Sequence, residues 1–100
     1  MALRIDWTTQ ADRTYENIVL YLEQQWSERE VKNFVIRVNE MLQLISKNPR
    51  LYKKSKQKDI HEAVINKHNT LYYKVKSNSI DLLTFWDNRQ SSEKLNLGSK

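Results

Sequence analysis

Lys47, Arg50, Lys53, Lys54, Lys56 and Lys58 stand within twelve residues that contain no acid. A run of that kind attracts phosphates or acidic protein segments, or else forms a solvated, lysine-rich loop. Further on, Arg89 carries a planar guanidinium that can clamp a phosphate or a carboxylate through two parallel hydrogen bonds. Trp86 and Tyr72 offer flat contact surfaces near it. Lys53, Lys54, Lys56, Lys58, Tyr72, Lys74, Trp86 and Arg89 are therefore the candidate partner-binding residues. There is no cysteine, which excludes disulfides, thiolate metal sites and thiol nucleophiles. His61 and His68 have no companions at ligand spacing, so neither a metal nor a cofactor is expected.

The basic character is one-sided. Residues 1–48 carry six Lys/Arg against seven Asp/Glu, and residues 49–100 carry eleven against five, so the net charge of +5 lies wholly in the second half. A hydrophobic fraction of 39% and a charged fraction of 29% over 100 residues suit one soluble domain with a modest core. No apolar run approaches the ~20 residues of a membrane span and no apolar leader opens the sequence, so a cytosolic protein is expected.

The elements that must hold these side chains follow from periodicity. Leu71–Val75 and Ile80–Trp86 are aromatic and aliphatic runs flanking Ser77-Asn78-Ser79, the pattern of a β-hairpin. Alternation puts Leu71, Tyr73 and Val75 on one face of the first strand. It puts Ile80, Leu82, Thr84 and Trp86 on one face of the second, with Leu83 and Phe85 opposite. The second strand is apolar on both sides and belongs inside a sheet. Leu3, Ile5 and Trp7 alternate as a short opening strand. Thr8 or Thr9 then offers an N-cap, with Asp12 placed as in a capping box after Thr9. Ala11, Tyr15, Ile18, Val19, Leu22 and Trp26 form an amphipathic stripe. Ser27-Glu28-Arg29-Glu30 reads as a second capping box, and Val31, Phe34, Val35, Val38, Leu42 and Ile45 as the next stripe, stopped by Asn48-Pro49. Asp59–Ile65 is short enough for a strand, and Asn66–Asn69 reads as a turn.

The expected fold class is α+β, in the order β-α-α-β-β-β: an antiparallel four-stranded sheet with a helical hairpin (9–26 and 28–47) packed on one face. Trp7, Ile18, Leu22, Phe34, Val38, Leu42, Leu71, Tyr73 and Leu82 should join the layers. The other face, with Tyr72, Lys74 and Lys76, is left to water or a partner. Residues 1–90 form the domain, and 91–100 a polar, mobile tail.

Four features stand out together: Trp7 before the first helix, "Leu-Ile-Ser-Lys-Asn-Pro" closing the second, the "Leu-Tyr-Tyr-Lys-Val" strand, and the final "Phe-Trp-Asp-Asn-Arg-Gln". In this combination the chain resembles, over about residues 3–90, the RelE/ParE toxins of bacterial type II toxin–antitoxin systems. The resemblance implies a small basic toxin that arrests growth and is neutralised by a cognate acidic antitoxin. Members include ribosome-dependent mRNA cleavers and gyrase inhibitors, so DNA gyrase or the ribosome with its mRNA is the implied target. Fold alone does not choose between them.

Metal-free RNA cleavage needs a base for the 2′-hydroxyl, a cation for the phosphorane and an acid for the leaving oxygen. Carried over residue by residue, the RelE nuclease pattern places His61 and Ala63 where lysines are expected and Thr70 where an arginine is. Arg89 matches the second arginine, and Leu95 stands in place of a tyrosine. His61 would be the substitute acid or base and Arg89 the phosphate clamp, if the protein is an enzyme at all. Otherwise His61 is an exposed strand histidine and Arg89 a carboxylate-paired surface arginine. With so much of the set replaced, growth arrest by binding, as in ParE-like relatives, is the favoured expectation. Ribosome-dependent endoribonuclease action and a non-toxic interaction domain remain the alternatives.

Overall fold

The computed structural model describes residues 2–57, 59–89 and 95. The elements are β1 (Arg4–Trp7), α1 (Thr9–Gln25), α2 (Glu28–Lys47), β2 (Lys53–Lys54), β3 (Ile60–Asn66), β4 (Asn69–Val75) and β5 (Ser79–Asp87). Both expected helices and the expected hairpin are present, and the class is α+β. Two details differ. Among the described residues the sheet has five strands in the order β1-β5-β4-β3-β2, because Lys53–Lys54 in the basic loop add a short edge strand. It is also mixed, not antiparallel throughout. β1 runs parallel to β5, with Arg4 opposite Ser79 and Trp7 opposite Leu82, while the other pairs are antiparallel. A parallel neighbour needs a long crossover, and the helical hairpin begins that return.

Thr8 explains how strand passes into helix. Its hydroxyl accepts from Ala11 N–H at 3.1 Å, capping α1, and donates to the Leu82 carbonyl at 2.7 Å. The cap is thus Thr8, and the Thr9–Asp12 capping box is not the one formed. Beyond Trp7, α1 takes over the free edge of β5: Thr8 N–H reaches Leu82 O at 3.2 Å and Phe85 N–H reaches Thr14 Oγ1 at 2.9 Å. Backbone groups that β1 is too short to pair are satisfied in this way. At α2, Ser27 caps through its carbonyl alone, accepting from Glu30 and Val31, with no side-chain cap bond. Trp26 sits at the end of α1 with 61% of its surface exposed, so it lies outside the buried stripe to which its spacing assigned it.

The core gathers Ala11 from α1, Phe34, Val38, Met41 and Ile45 from α2, Ala63 and Ile65 from β3, Leu71 and Tyr73 from β4, and Ile80, Leu82 and Phe85 from β5. Ile18, Leu22 and Leu42 pack against it while only partly buried. Trp7, 37% exposed, is a lid on the core and not part of it. It stacks on Phe85 at 5.4 Å and meets Tyr15 edge-on at 5.2 Å.

A β-bulge corrects the expected facing of β5. Tyr73 lies opposite Leu82 but Tyr72 lies opposite Thr84, leaving Leu83 as the extra residue. One extra residue reverses the side-chain sense of everything after it. Phe85 therefore comes opposite Leu71 in the core, while Thr84 and Trp86 fall opposite Tyr72 and Thr70. A second irregularity takes Ile65 out of the β3–β4 ladder, and the Arg37 guanidinium of α2 donates to the Ile65 carbonyl. Asp59, just before β3, has φ 63°, a left-handed conformation that Asp tolerates better than most residues.

Lys58 and the segment 90–100, apart from Leu95, lie outside the described residues, and with them the expectation of a mobile tail. Among the described residues no helix is long and apolar enough to cross a membrane.

Candidate functional site: a basic-rimmed groove at the end of the sheet

The turn after β5 is held on the β3–β4 turn. Asn66 Oδ1 accepts from His68 N–H at 2.8 Å and Asn69 N–H at 2.9 Å, which folds Asn66–Asn69 tightly. Asn88 N–H then donates to His68 O at 2.7 Å, and Thr70 Oγ1 donates to Asn88 Oδ1 at 2.8 Å. Arg89 is presented by this double turn. Its backbone N–H bonds Asp87 Oδ1 at 2.9 Å, Nε bonds the same oxygen at 3.0 Å, and Nη2 bonds Oδ2 at 2.8 Å. The guanidinium also lies over the Tyr21 ring of α1, 5.7 Å from its centroid. Arg89's hydrogen bonds hold the Asp87 carboxyl below its ordinary value, and Asp87, with Tyr21, raises the Arg89 guanidinium in return. Arg89 is thus a carboxylate-paired surface arginine, one of the two descriptions the sequence allowed.

Arg89 borders a groove of about 790 Å³ between α1, the first half of α2, the β3–β4 turn and the end of β5. Ile18, Leu22, Phe34 and Phe85 give it apolar walls, and Arg37, Lys67 and Arg89 supply cations. Trp86 also lines it, whereas Tyr72 and Lys74 do not. Tyr21, Arg37 and Lys67 were not singled out from the sequence. The available signal was Tyr21, an aromatic residue off the buried stripe of α1 and 42% exposed in the structure.

The basic loop lies elsewhere, on the far edge strand. Lys53 stands opposite Glu62, 4.0 Å from its carboxylate, and Lys54 opposite His61; both lysines are exposed, as is Lys56. His61 is 3% exposed, so it is not the surface histidine that a strand position allowed. Its ring stacks on Tyr73 at 5.3 Å, and Nδ1 lies 2.9 Å from the Tyr52 carbonyl. Tyr73 in turn donates to Pro49 O at 2.8 Å. Burial pushes the Tyr73 phenol up to about 12. Burial also raises the half-buried Tyr72 phenol, with help from the Glu62 carboxylate. The His61–Tyr73 pair thus pins the start of the basic loop onto the sheet. Lys74 is half-buried, and Lys76 is paired with Asp81 at 2.8 Å.

His61 and Arg89 are not brought together. His61 lies opposite Tyr73, whereas Arg89 follows Asp87, which lies opposite Asn69. Four residues of β4 alone separate those levels by about 13 Å, and the two side chains leave from strands on either side of β4. His61, being buried, does not line the groove that Arg89 borders.

Among solved structures, the chain resembles the YoeB dimer of Staphylococcus aureus with 26% identity over 84% of this chain and 94% of that one, at a TM-score of 0.62. It matches the chromosomal ParDE system of P. aeruginosa with 12% identity over 86% and 96%, at 0.72. It matches the E. coli DinJ–YafQ toxin–antitoxin complex with 10% identity over 89% and 96%, at 0.62. The last two likenesses speak for the fold alone. Comparison with curated proteins gives no significant match. The family model of the ParE toxin of type II toxin–antitoxin systems (parDE) matches residues 5–91, nearly the whole of the fold described above, and the chain belongs to that toxin family.

Proposed function

We propose that this toxin arrests growth by binding a macromolecular target of replication or translation, a gyrase-type target foremost, and not by cutting RNA. A cognate antitoxin neutralises it. The observation that carries the choice is the separation of His61 from Arg89: His61 is buried against Tyr73 while Arg89 is tied to Asp87 at the opposite end of β4. Loss of a single transition-state donor can cost ~10²–10³ in rate. Here Ala63 and Thr70 also stand where charged groups would be needed. A binding toxin has no such requirement. The antitoxin reading is supported by family membership and by the exposed Lys53, Lys54 and Lys56. An acidic segment, disordered when free, would cover that edge on folding against it.

Two assays run side by side test the choice. Purified protein added to gyrase should inhibit supercoiling, and induction in cells should leave mRNA on translating ribosomes uncut. Ribosome-dependent cuts that vanish in both His61→Ala and Arg89→Ala variants would overturn the proposal in favour of a remodelled nuclease. Induction without growth arrest would identify a non-toxic interaction domain.

A further inference from the structure

The free protein already shows Arg89 doing what an arginine does at a recognition site. Two of its nitrogens hold the two oxygens of one carboxylate, Nε at 3.0 Å and Nη2 at 2.8 Å. That carboxylate comes from the same chain, two residues away; the Arg89 side chain is 57% exposed, and Asp87, at 27%, is half-buried. A carboxylate from another chain would replace one bidentate bond to Arg89 with another of the same kind, so the exchange costs little. The guanidinium is meanwhile oriented by Tyr21 and stands on the rim of the groove. We propose that Asp87 is an internal stand-in for a carboxylate that Arg89 takes from a partner protein, and that it thereby sets how strongly the groove selects an acidic amphipathic segment. The proposal rests on the function above only in taking the partner to be a protein.

Charge and shape both point to that occupant. Half-buried Ile18 and Leu22, with the exposed Tyr21 and Trp26, form an accessible apolar wall over the buried Phe34 and Phe85, and such a wall suits an apolar helix face, the helix-in-groove mode of recognition. Among the described residues that line it, Arg37, Lys67 and Arg89 are cationic, and Glu30 and Asp87 are acidic. With Asp87 displaced from Arg89, three cations face acids on the incoming segment. A neutral segment would leave the Asp87–Arg89 bond in place and gain nothing from Arg89. A nucleic acid would leave the aliphatic wall unused. Asp87 thus acts as negative selection as well as a place-holder, since a segment must out-compete it to reach the guanidinium.

The probes are a designed amphipathic helix of roughly 18 residues, with leucines on one face and glutamates on its flanks, the same peptide with glutamine for glutamate, and a short single-stranded RNA. Binding is measured by titration calorimetry on the full chain. Asp87→Asn should bind the glutamate peptide about 2–5-fold more tightly than wild type and the glutamine peptide unchanged. The gain should vanish in Asp87→Asn/Arg89→Ala relative to Arg89→Ala. Asparagine keeps the Oδ1 acceptor for the Arg89 N–H; if its thermal midpoint falls, Asp87→Ser replaces it. Absence of peptide binding, absence of the gain, an equal gain with the glutamine peptide, a gain that survives loss of Arg89, or preference for RNA would each overturn the proposal. None of these readouts uses growth arrest, so their failure leaves the toxin reading standing. Failure of the wild-type chain to arrest growth while the peptide pattern holds would sink the toxin reading alone.

Discussion

Replacing Leu82 with Ala tests the architecture at the point where most of it meets. Leu82 is fully buried, lies opposite Trp7 on one side and Tyr73 on the other, and offers its carbonyl to both the amide and the hydroxyl of Thr8. The substitution deletes three carbons, worth about 2.4 kcal/mol at ~0.8 kcal/mol per buried carbon group. Partial collapse of the surrounding core leaves a void that adds ~1–2 kcal/mol. A total of about 3–4 kcal/mol is a large part of the ~5–15 kcal/mol available to a domain of this size. The thermal midpoint should accordingly fall by roughly 12–30 °C, at about 4–8 °C per kcal/mol. Leu20→Ala is the control: the residue is 46% exposed on α1, and its loss should stay within ~0.5 kcal/mol. Chemical denaturation of both variants measures the difference directly. A Leu82→Ala loss below ~1 kcal/mol, or one equal to that of Leu20→Ala, would refute the placement of β5 at the centre of the core.

The buried Tyr73 phenol, pushed up to about 12, binds its proton more tightly when folded than when unfolded. Its contribution is therefore complete below the ordinary tyrosine value of about 10 and is lost as pH rises from there through the folded value. Ultraviolet titration should show one tyrosine ionising only near pH 12 or with unfolding, and Tyr73→Phe should remove it; an unchanged curve would contradict the burial. Thr84 Oγ1 is buried and has no hydrogen-bond partner among the described residues, so Thr84→Val should raise stability by up to ~1 kcal/mol; a loss in thermal denaturation would show that the hydroxyl is satisfied. Charge reversal at Lys53, Lys54 and Lys56 should weaken antitoxin binding and flatten its salt dependence. An affinity indifferent to that change would remove the basic edge from the interface.

Much of the molecule was legible because it is local. Two amphipathic stripes with stop signals at Trp26-Ser27 and Asn48-Pro49 defined the helices to within a residue. The Ser77-Asn78-Ser79 break defined the hairpin of β4 and β5, and the loop lysines were seen at once. These features depend on neighbours a few positions apart, where spacing and propensity decide the backbone. Tertiary structure decided the rest. The parallel pairing of β1 with β5 joins residues about 75 positions apart in the sequence, and alternation within each strand is silent about which strands pair or in what direction. The bulge at Leu83 is a property of the β4–β5 ladder, and it alone puts Phe85 inside and turns Thr84 and Trp86 the other way. His61 reads as a polar strand residue until Tyr73 and the Tyr52 carbonyl close around it, and Trp26 reads as core until α1 ends there. Arg89 was found by its type and position, but its bond to Asp87, its seat over Tyr21 and its distance from His61 belong to the fold. A site assembled from two helices, a turn and a strand end is a set of long-range coincidences, and only packing in three dimensions creates them.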